Sequence, residues 1–291
     1  VNNMLQQLSQ LLSALRKTSV QSLYLLSPSR RSCAICGGSV IGAPQASGLS
    51  PTLTSMLIHE LCGSCLSDIP WLHRILCPLC GRGIPCEDCK RQPQRSFELN
   101  RSAVIYSDSM REWLAQYKYR GNERLAPLLG EMLVPALRRL TTSLYPDSAS
   151  CRECWDLLTY VPITEERAME RGFNQAEQLA SHLSASFDLP LYSLLRRVRH
   201  TGKMSFKSRS ERVRDARELF AIDNPGLLRL YKDFMLEPQS RRPSSISSRP
   251  LRILLIDDIY TTGSTSGACS FVLKQQIDLL LEVYVLTWAR S

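Results

Sequence analysis

The stretch Ile253-Leu254-Leu255-Ile256-Asp257-Asp258-Ile259-Tyr260-Thr261-Thr262-Gly263-Ser264-Thr265 constrains the fold more than any other part of the chain. Its apolar run, Ile253 to Ile256, is short and bounded, which predicts a central strand buried on both faces of a parallel sheet. Two carboxylates, Asp257 and Asp258, follow at the carboxyl end of that run, where open α/β sheets bind ligands. Thr261 to Thr265 then supply hydroxyls, small side chains and a glycine, and a helix is expected from about Ser264 to Gln275. The loop therefore sits at a helix N-terminus, where backbone N–H groups and the helix dipole favour a phosphate dianion.

A phosphate in that loop leaves its sugar lying back toward the strand end. The two carboxylates can there accept hydrogen bonds from vicinal hydroxyls, and Mg²⁺, a hard cation, would sit on ligand oxygens nearby. A ribose 5-phosphate fits this layout better than a nucleoside triphosphate. Neither GxxxxGK[ST] nor a strand-linked GxGxxG occurs, which excludes the usual nucleotide loops. The plain alternative is an Asp-Asp pair that caps a turn, with the threonines as loop filler.

Cysteines dominate residues 30–95, in four pairs: Cys33-x-x-Cys36, Cys62-x-x-Cys65, Cys77-x-x-Cys80 and Cys86-x-x-Cys89. A CxxC turn presents two thiolates to one metal, and two such turns complete a tetrahedral Zn²⁺ shell with no open position, so zinc here would be structural. Pairing neighbours along the chain groups Cys33, Cys36, Cys62 and Cys65 around one Zn²⁺ and Cys77, Cys80, Cys86 and Cys89 around another. An interleaved arrangement satisfies the spacing equally. His59 and His73 lie between pairs and read as exposed loop residues rather than ligands. Cys151-x-x-Cys154 stands alone and reads as incidental, and Cys269 as a buried small residue.

No signal-peptide layout opens the chain; Met4, Leu5, Leu8, Leu11, Leu12 and Leu15 instead predict an amphipathic lead-in helix over 1–29. No apolar run approaches the roughly 18 residues that span a bilayer. A cytoplasmic protein is therefore expected, and 11 cysteines in a reducing compartment argue for metal rather than disulfides. The net charge of +9 favours anionic partners, nucleic acid or phosphorylated metabolites.

From residue 101 to 291 the pattern is α/β. Strands are expected at Ser102–Tyr106, Leu157–Val161 and Glu282–Thr287, and helices at Met110–Tyr119 and Arg124–Leu140. Pro162 opens the loop after the second strand. Arg167 and Arg171, four apart, share a helical face and can grip phosphate oxygens in forked geometry, while Gly172 and Asn174 suit a sharp entry into a helix reaching about Ser186. Residues 196–217 are the most basic stretch and read as a mobile loop leading into a helix. Residues 236–250, rich in Ser, Pro and Arg, read as a flexible insertion.

The Asp257 to Thr265 string closely resembles the phosphoribosyl pyrophosphate (PRPP) signature of type I phosphoribosyltransferases. Together with the cysteine pairs, the Tyr117-Lys118-Tyr119-Arg120-Gly121 turn and Arg167-x-x-x-Arg171-Gly-Phe-Asn-Gln, the chain is similar nearly throughout to the ComF family. The resemblance implies a phosphoribosyltransferase-like parallel sheet flanked by helices, with a small N-terminal zinc module. It implies that Asp257 and Asp258 form the catalytic pair facing the ribose. Thr261, Thr262, Gly263, Ser264 and Thr265 would cradle the 5-phosphate, with Pro162, Arg167, Arg171 and Lys118 completing the PRPP site with Mg²⁺. Lys203, Lys207, Arg209 and Arg212 would belong to a flexible loop that closes over the ligand. Met204 and Asp215 depart from the glutamine and asparagine usual in that loop.

Two functions follow from different classes. One is a competence-associated protein that binds PRPP and supports uptake or handling of single-stranded DNA alongside other competence proteins. The other is an active phosphoribosyltransferase acting on a nitrogen nucleophile unrelated to DNA. The acceptor is not legible, because a base-binding hood is built from scattered residues.

Overall fold

Strands of a parallel sheet are covered on both faces and so read as near-continuous apolar runs; this chain builds its sheet from such runs. The computed structural model describes residues 31–40, 53–91, 95–119, 122–198, 218–236 and 249–291. The lead-in helix expected over 1–29 lies outside the described residues, as do Lys203, Lys207, Arg209 and Arg212 and residues 237–248 of the expected insertion.

In chain order, the cysteine-rich region carries the short helices α1 (Ser55–Glu60), α2 (Gly63–Ser67) and α3 (Glu87–Arg91). Then follow β1 (Asn100–Ile105), α4 (Asp108–Tyr119), α5 (Leu125–Leu144), α6 (Cys151–Cys154) and β2 (Leu157–Tyr160). The chain continues through α7 (Glu165–Arg171), α8 (Gln175–Phe187), β3 (Leu195–Arg197), β4 (Phe220–Ile222) and α9 (Asn224–Leu236). It closes with β5 (Leu251–Tyr260), α10 (Ser264–Gln276) and β6 (Leu281–Arg290). The main sheet is wholly parallel in the order β1-β6-β5-β2, and β3 and β4 form a separate antiparallel pair.

Side chains alternate across a strand, and the sheet sorts its residues accordingly. Leu254, Ile256, Leu286 and Trp288 face α4, α5 and α8, whereas Ile253, Leu255, Val283 and Val285 face α10, α9 and the β3–β4 pair. The cysteine-rich region straddles the β1 edge. Cys33 and Cys65 pack into the first core and Cys77, Cys80, Cys86 and Cys89 into the second. The segment joining them runs along β1: Leu72 donates its N–H to Ala103 O at 2.9 Å, and Ile105 donates to Pro70 O at 2.9 Å. An otherwise open edge is thereby paired.

Three expectations need correction. β5 does not stop at Ile256, because β6 is equally long and the ladder continues through Asp257 opposite Thr287 to Tyr260 opposite Arg290. The carboxylates therefore lie within the strand rather than after it. Arg196 and Arg197 are not loop residues, since β3 pairs with β4 and Arg197 is opposite Phe220. The insertion expected over 236–250 starts on the last residue of α9 and ends on an anchored one. Arg249 grips Asp156 with both terminal nitrogens at 2.7 and 2.9 Å.

Helices α5 and α8 meet at Gly130, where an added Cβ would stand 2.6 Å from both Cβ and Cγ of His182. His182 is held in turn by Glu131, Nε2 to Oε2 at 2.7 Å. A clash with a Cβ cannot be relieved by rotating a side chain, so the helices themselves must separate. Gly130→Ala is expected to destabilise the fold by about 1–2 kcal/mol, as overpacking outweighs the smaller gain from replacing a mid-helix glycine. Urea unfolding measures this, and a stability equal to or above the parent would contradict the packing described.

Candidate functional site

The carboxyl end of β5 opens into a cavity of about 190 Å³. Neighbouring residues on a strand point to opposite faces, so Asp257 and Asp258 meet different surroundings. Asp258 pairs with the Lys118 ammonium from the end of α4 and accepts a hydrogen bond from Gln175 Nε2 at 3.3 Å. Asp257 accepts the Asp258 backbone N–H at 2.9 Å and lies near Arg197 and Cys269 on the other side of the sheet. Both line the one cavity.

These surroundings split the two acids. Burial and the neighbouring Asp258 charge push Asp257 well above the usual carboxylate range. Burial also opposes ionisation of Asp258, but Lys118, with help from Gln175, holds it below that range. Burial and the Asp258 charge thus favour the protonated form of Asp257, while Lys118 and Gln175 favour the ionised form of Asp258.

Opposite the acids stands a basic wall of Arg167, Arg171 and Arg197. Helix α7 is capped by Thr164, whose side chain accepts the Arg167 N–H at 3.3 Å, and ends at Gly172 with φ +78°. Asn174 then caps α8 by accepting from Ala176 N at 3.0 Å, and donates to Val161 O at 3.1 Å, which pins the Pro162 loop to the helix start. Arg171 lies over the Tyr119 ring, 4.9 Å from its centroid, and donates to Gln175 Oε1 at 3.2 Å; its Nε is buried with no partner. Burial and the nearby Arg167 charge lower the pKa of Arg197. Three guanidiniums thus share one wall without a carboxylate among them, and one N–H of Arg171 is left unsatisfied.

Of the loop residues, Thr265 lines the cavity, while Thr261, Thr262 and Ser264 are exposed at its rim. Gly263 has φ +82°, and a Cβ there would stand 2.2 Å from the Tyr260 hydroxyl, so only glycine fits. Thr262 Oγ1 lies 2.8 Å from Ser264 Oγ and accepts the Ser264 N–H at 3.4 Å, preforming the turn into α10.

The structure brings together Cys33, Cys36, Cys62 and Cys65 in one group and Cys77, Cys80, Cys86 and Cys89 in another. Within each group the sulfurs all lie within 4.8 Å of one another, with Cys36–Cys62 and Cys80–Cys86 at 3.6 Å and Cys86–Cys89 at 3.5 Å. Four thiolates about 2.3 Å from a tetrahedral Zn²⁺ stand roughly 3.8 Å apart, so either group could hold one ion. Burial works against the Cys33 thiolate, yet backbone N–H groups of Cys36, Cys62 and Ile35 bring its pKa down to about 7. His59 and His73 are exposed and belong to neither group. Cys154 and Cys269 are buried, and burial pushes the Cys151 and Cys269 thiols up.

The second group touches the loop that leads into α10. Arg95 donates to Cys89 Sγ at 2.9 Å and to the Tyr260 hydroxyl at 2.6 Å, the same hydroxyl that Gly263 accommodates. Arg290 stacks on the Tyr260 ring at 4.8 Å, donates to Tyr260 O at 3.1 Å and reaches Cys80 Sγ at 3.6 Å. Sequence reading did not find Arg95, Arg290, Tyr119 or Arg197 as members of the site. Each is placed by partners far away in sequence; Tyr119 alone falls within a named motif, the turn around Lys118, where it carried no role.

No family model matches the chain. Among curated proteins it is homologous to competence protein ComFC of Bacillus subtilis, at 29% identity over 71% of this chain and 75% of that one. ComFC of Streptococcus pneumoniae is 25% identical over 84% of this chain and 93% of that one. DNA utilization protein YhgH of Escherichia coli K12 is 24% identical over 73% and 84%, respectively. A crystal structure of adenine phosphoribosyltransferase superposes loosely, with a TM-score of 0.29 and 14% identity over 55% of this chain and 71% of that one.

The Lys118–Asp258 pair carries the asymmetry of the acids. Lys118→Met is expected to raise the Asp258 titration midpoint, since the largest influence opposing burial would then be gone and only the hydrogen bonds from Gln175 and the Ile259 backbone would remain against it. Carboxyl ¹³C NMR titration reads this directly. An Asp258 midpoint that stays low in the variant would break the assignment.

Proposed function

We propose that this chain binds PRPP with Mg²⁺ at the β5–α10 site and serves the handling of single-stranded DNA in natural transformation. The observation that carries the first half is the buried Asp257–Asp258 pair facing the arginines, one of which has an unpartnered buried nitrogen, above a preformed loop at a helix N-terminus. Acids that accept from vicinal hydroxyls and arginines that donate to phosphoryl oxygens suit a sugar bearing phosphates at two positions. Thr261 to Thr265 offer hydroxyls and N–H groups at the start of α10, which suit the 5-phosphate.

Mg²⁺ would supply charge neutralisation at the diphosphate, and the oxygens of Asp257 and Asp258 are hard donors of the kind it takes. This chain's own groups would do the rest. Lys118, now on Asp258, would give up that carboxylate to the sugar and stand as a cation beside the phosphates. Pro162 and Ile163 line the wall between them. A cavity of about 190 Å³ is small for such a ligand, so withdrawal of Lys118 is what makes room.

Zinc would serve structurally in both cysteine groups, because four sulfurs leave no open coordination position. The DNA half of the proposal draws on the relatives named for competence and DNA utilization, and on the net charge of +9. Lys203, Lys207, Arg209 and Arg212 fall in sequence between β3 and β4, and Arg197 of β3 lines the cavity.

Asp257→Asn combined with Asp258→Asn is expected to weaken PRPP binding by at least about 100-fold, since each charge-assisted hydrogen bond contributes about 1.5–3 kcal/mol. Calorimetric titration with Mg²⁺ and PRPP reads the loss, and undiminished affinity in a folded variant would overturn the site. For DNA, alanine at Lys203, Lys207, Arg209 and Arg212 should flatten the salt dependence of binding to a single-stranded oligonucleotide. The log–log slope should fall by up to about 3, at roughly 0.7 for each phosphate no longer neutralised. A slope unchanged by fluorescence anisotropy would remove these residues from the DNA interface.

A further inference from the structure

A second cavity, of about 340 Å³, lies where the segment between the two cysteine groups crosses β1 and α5. It shares no lining residue with the first. Its volume falls within the range of roughly 300–1,000 Å³ in which small-molecule sites lie. One wall is apolar, formed by Leu76, Pro78, Ala136 and Leu140. Leu76 is 43% exposed and so leaves apolar surface open at the mouth.

The other wall is basic. Arg139, on α5, has its Nη1 buried with no hydrogen-bond partner. Arg101 is fixed beside it, donating to Pro78 O at 2.9 Å and to Asn100 O at 2.8 Å. No carboxylate is among the described residues that line the cavity. Burying a guanidinium N–H without an acceptor costs more than a typical hydrogen bond contributes, and native structures rarely leave one so. Two guanidiniums thus line a hollow whose other polar residues are His73, Ser102 and Ser143.

We propose that this cavity is a binding site for a small organic oxyanion, a carboxylate or phosphate carried on an apolar body. The oxyanion is held by Arg139, with Arg101 adding positive potential. The apolar body lies against Leu76, Ala136 and Leu140. The site couples the inter-cluster segment to α5, so its occupancy would fasten the cysteine-rich region to the sheet edge.

Calorimetric titration with sodium benzoate, phenyl phosphate and inorganic phosphate tests this on the whole protein. Benzoate or phenyl phosphate is expected to bind, and Arg139→Met to weaken that binding at least tenfold. Tighter binding of benzoate assigns a carboxylate head group, and tighter binding of phenyl phosphate a phosphate one. Inorganic phosphate, without the apolar body, should bind Arg139-dependently only at much higher concentration. If Arg139→Met proves misfolded by circular dichroism, Ser143→Trp places bulk at the exposed rim, keeps the guanidinium, and should block the same ligand. Failure of both organic anions to bind the parent, or binding that a folded variant leaves unchanged, would overturn the proposal.

Discussion

Two adjacent ten-residue strands, β5 and β6, buried on both sides, carry the rest of this molecule. Burial on both faces demands two cores, and alternation along each strand assigns successive side chains to one or the other. The helices are arranged to fill those cores, and the cysteine-rich region is divided between them. Small as it is, that region could not close a core unaided. It borrows one instead, lodging Cys33 and Cys65 with α5 on one face and the second cysteine group with Phe97, Tyr260 and Ala268 on the other.

That division has an electrostatic side. A Zn²⁺ with four thiolates carries a net negative charge, and the second group is set among cations. Arg95, Arg290 and Arg82 each reach one of its sulfurs, at 2.9, 3.6 and 3.9 Å. Two of these arginines also hold Tyr260, at its hydroxyl and at its carbonyl. Tyr260 in turn sits where a Cβ on Gly263 would be. The conformation of the loop before α10 is thus tied by side-chain hydrogen bonds to a cysteine group far earlier in the chain. Such ties orient groups rather than add stability, since each arginine gives up hydration to make them.

Much of this was legible in the residues because the relevant signals are local. The apolar run before Asp257, the hydroxyl-rich loop and the start of α10 at Ser264 follow from composition and order alone. The cysteine groups follow from CxxC spacing, although spacing could not choose between neighbour and interleaved pairing. The extension of β5 through the aspartates was not legible, because acids have low strand propensity; a partner strand of equal length supplies the ladder. Arg197 was hidden for a similar reason. It reads as one more charge in a basic run until β4, well downstream, fixes it in a strand. Tyr260 reads as loop and turns out to be among the larger fully buried side chains.

The acids at the strand end show why the site's resting form differs from what its composition suggests. Two adjacent buried carboxylates cannot both be ionised cheaply, and the structure divides them: Asp258 is given a lysine, while burial and the Asp258 charge push Asp257 upward. On the proposed reading, a ligand bearing hydroxyls and a divalent cation must displace Lys118 from Asp258 and favour the ionised form of Asp257. Lys118 would then be a cation released toward the arginines and the phosphates that they hold. The acidic pair would be completed by the ligand, and the basic wall by the residue that the ligand displaces. An exchange of this kind couples binding of the sugar end to binding of the phosphate end, because neither half of the cavity reaches its full charge until the other is occupied.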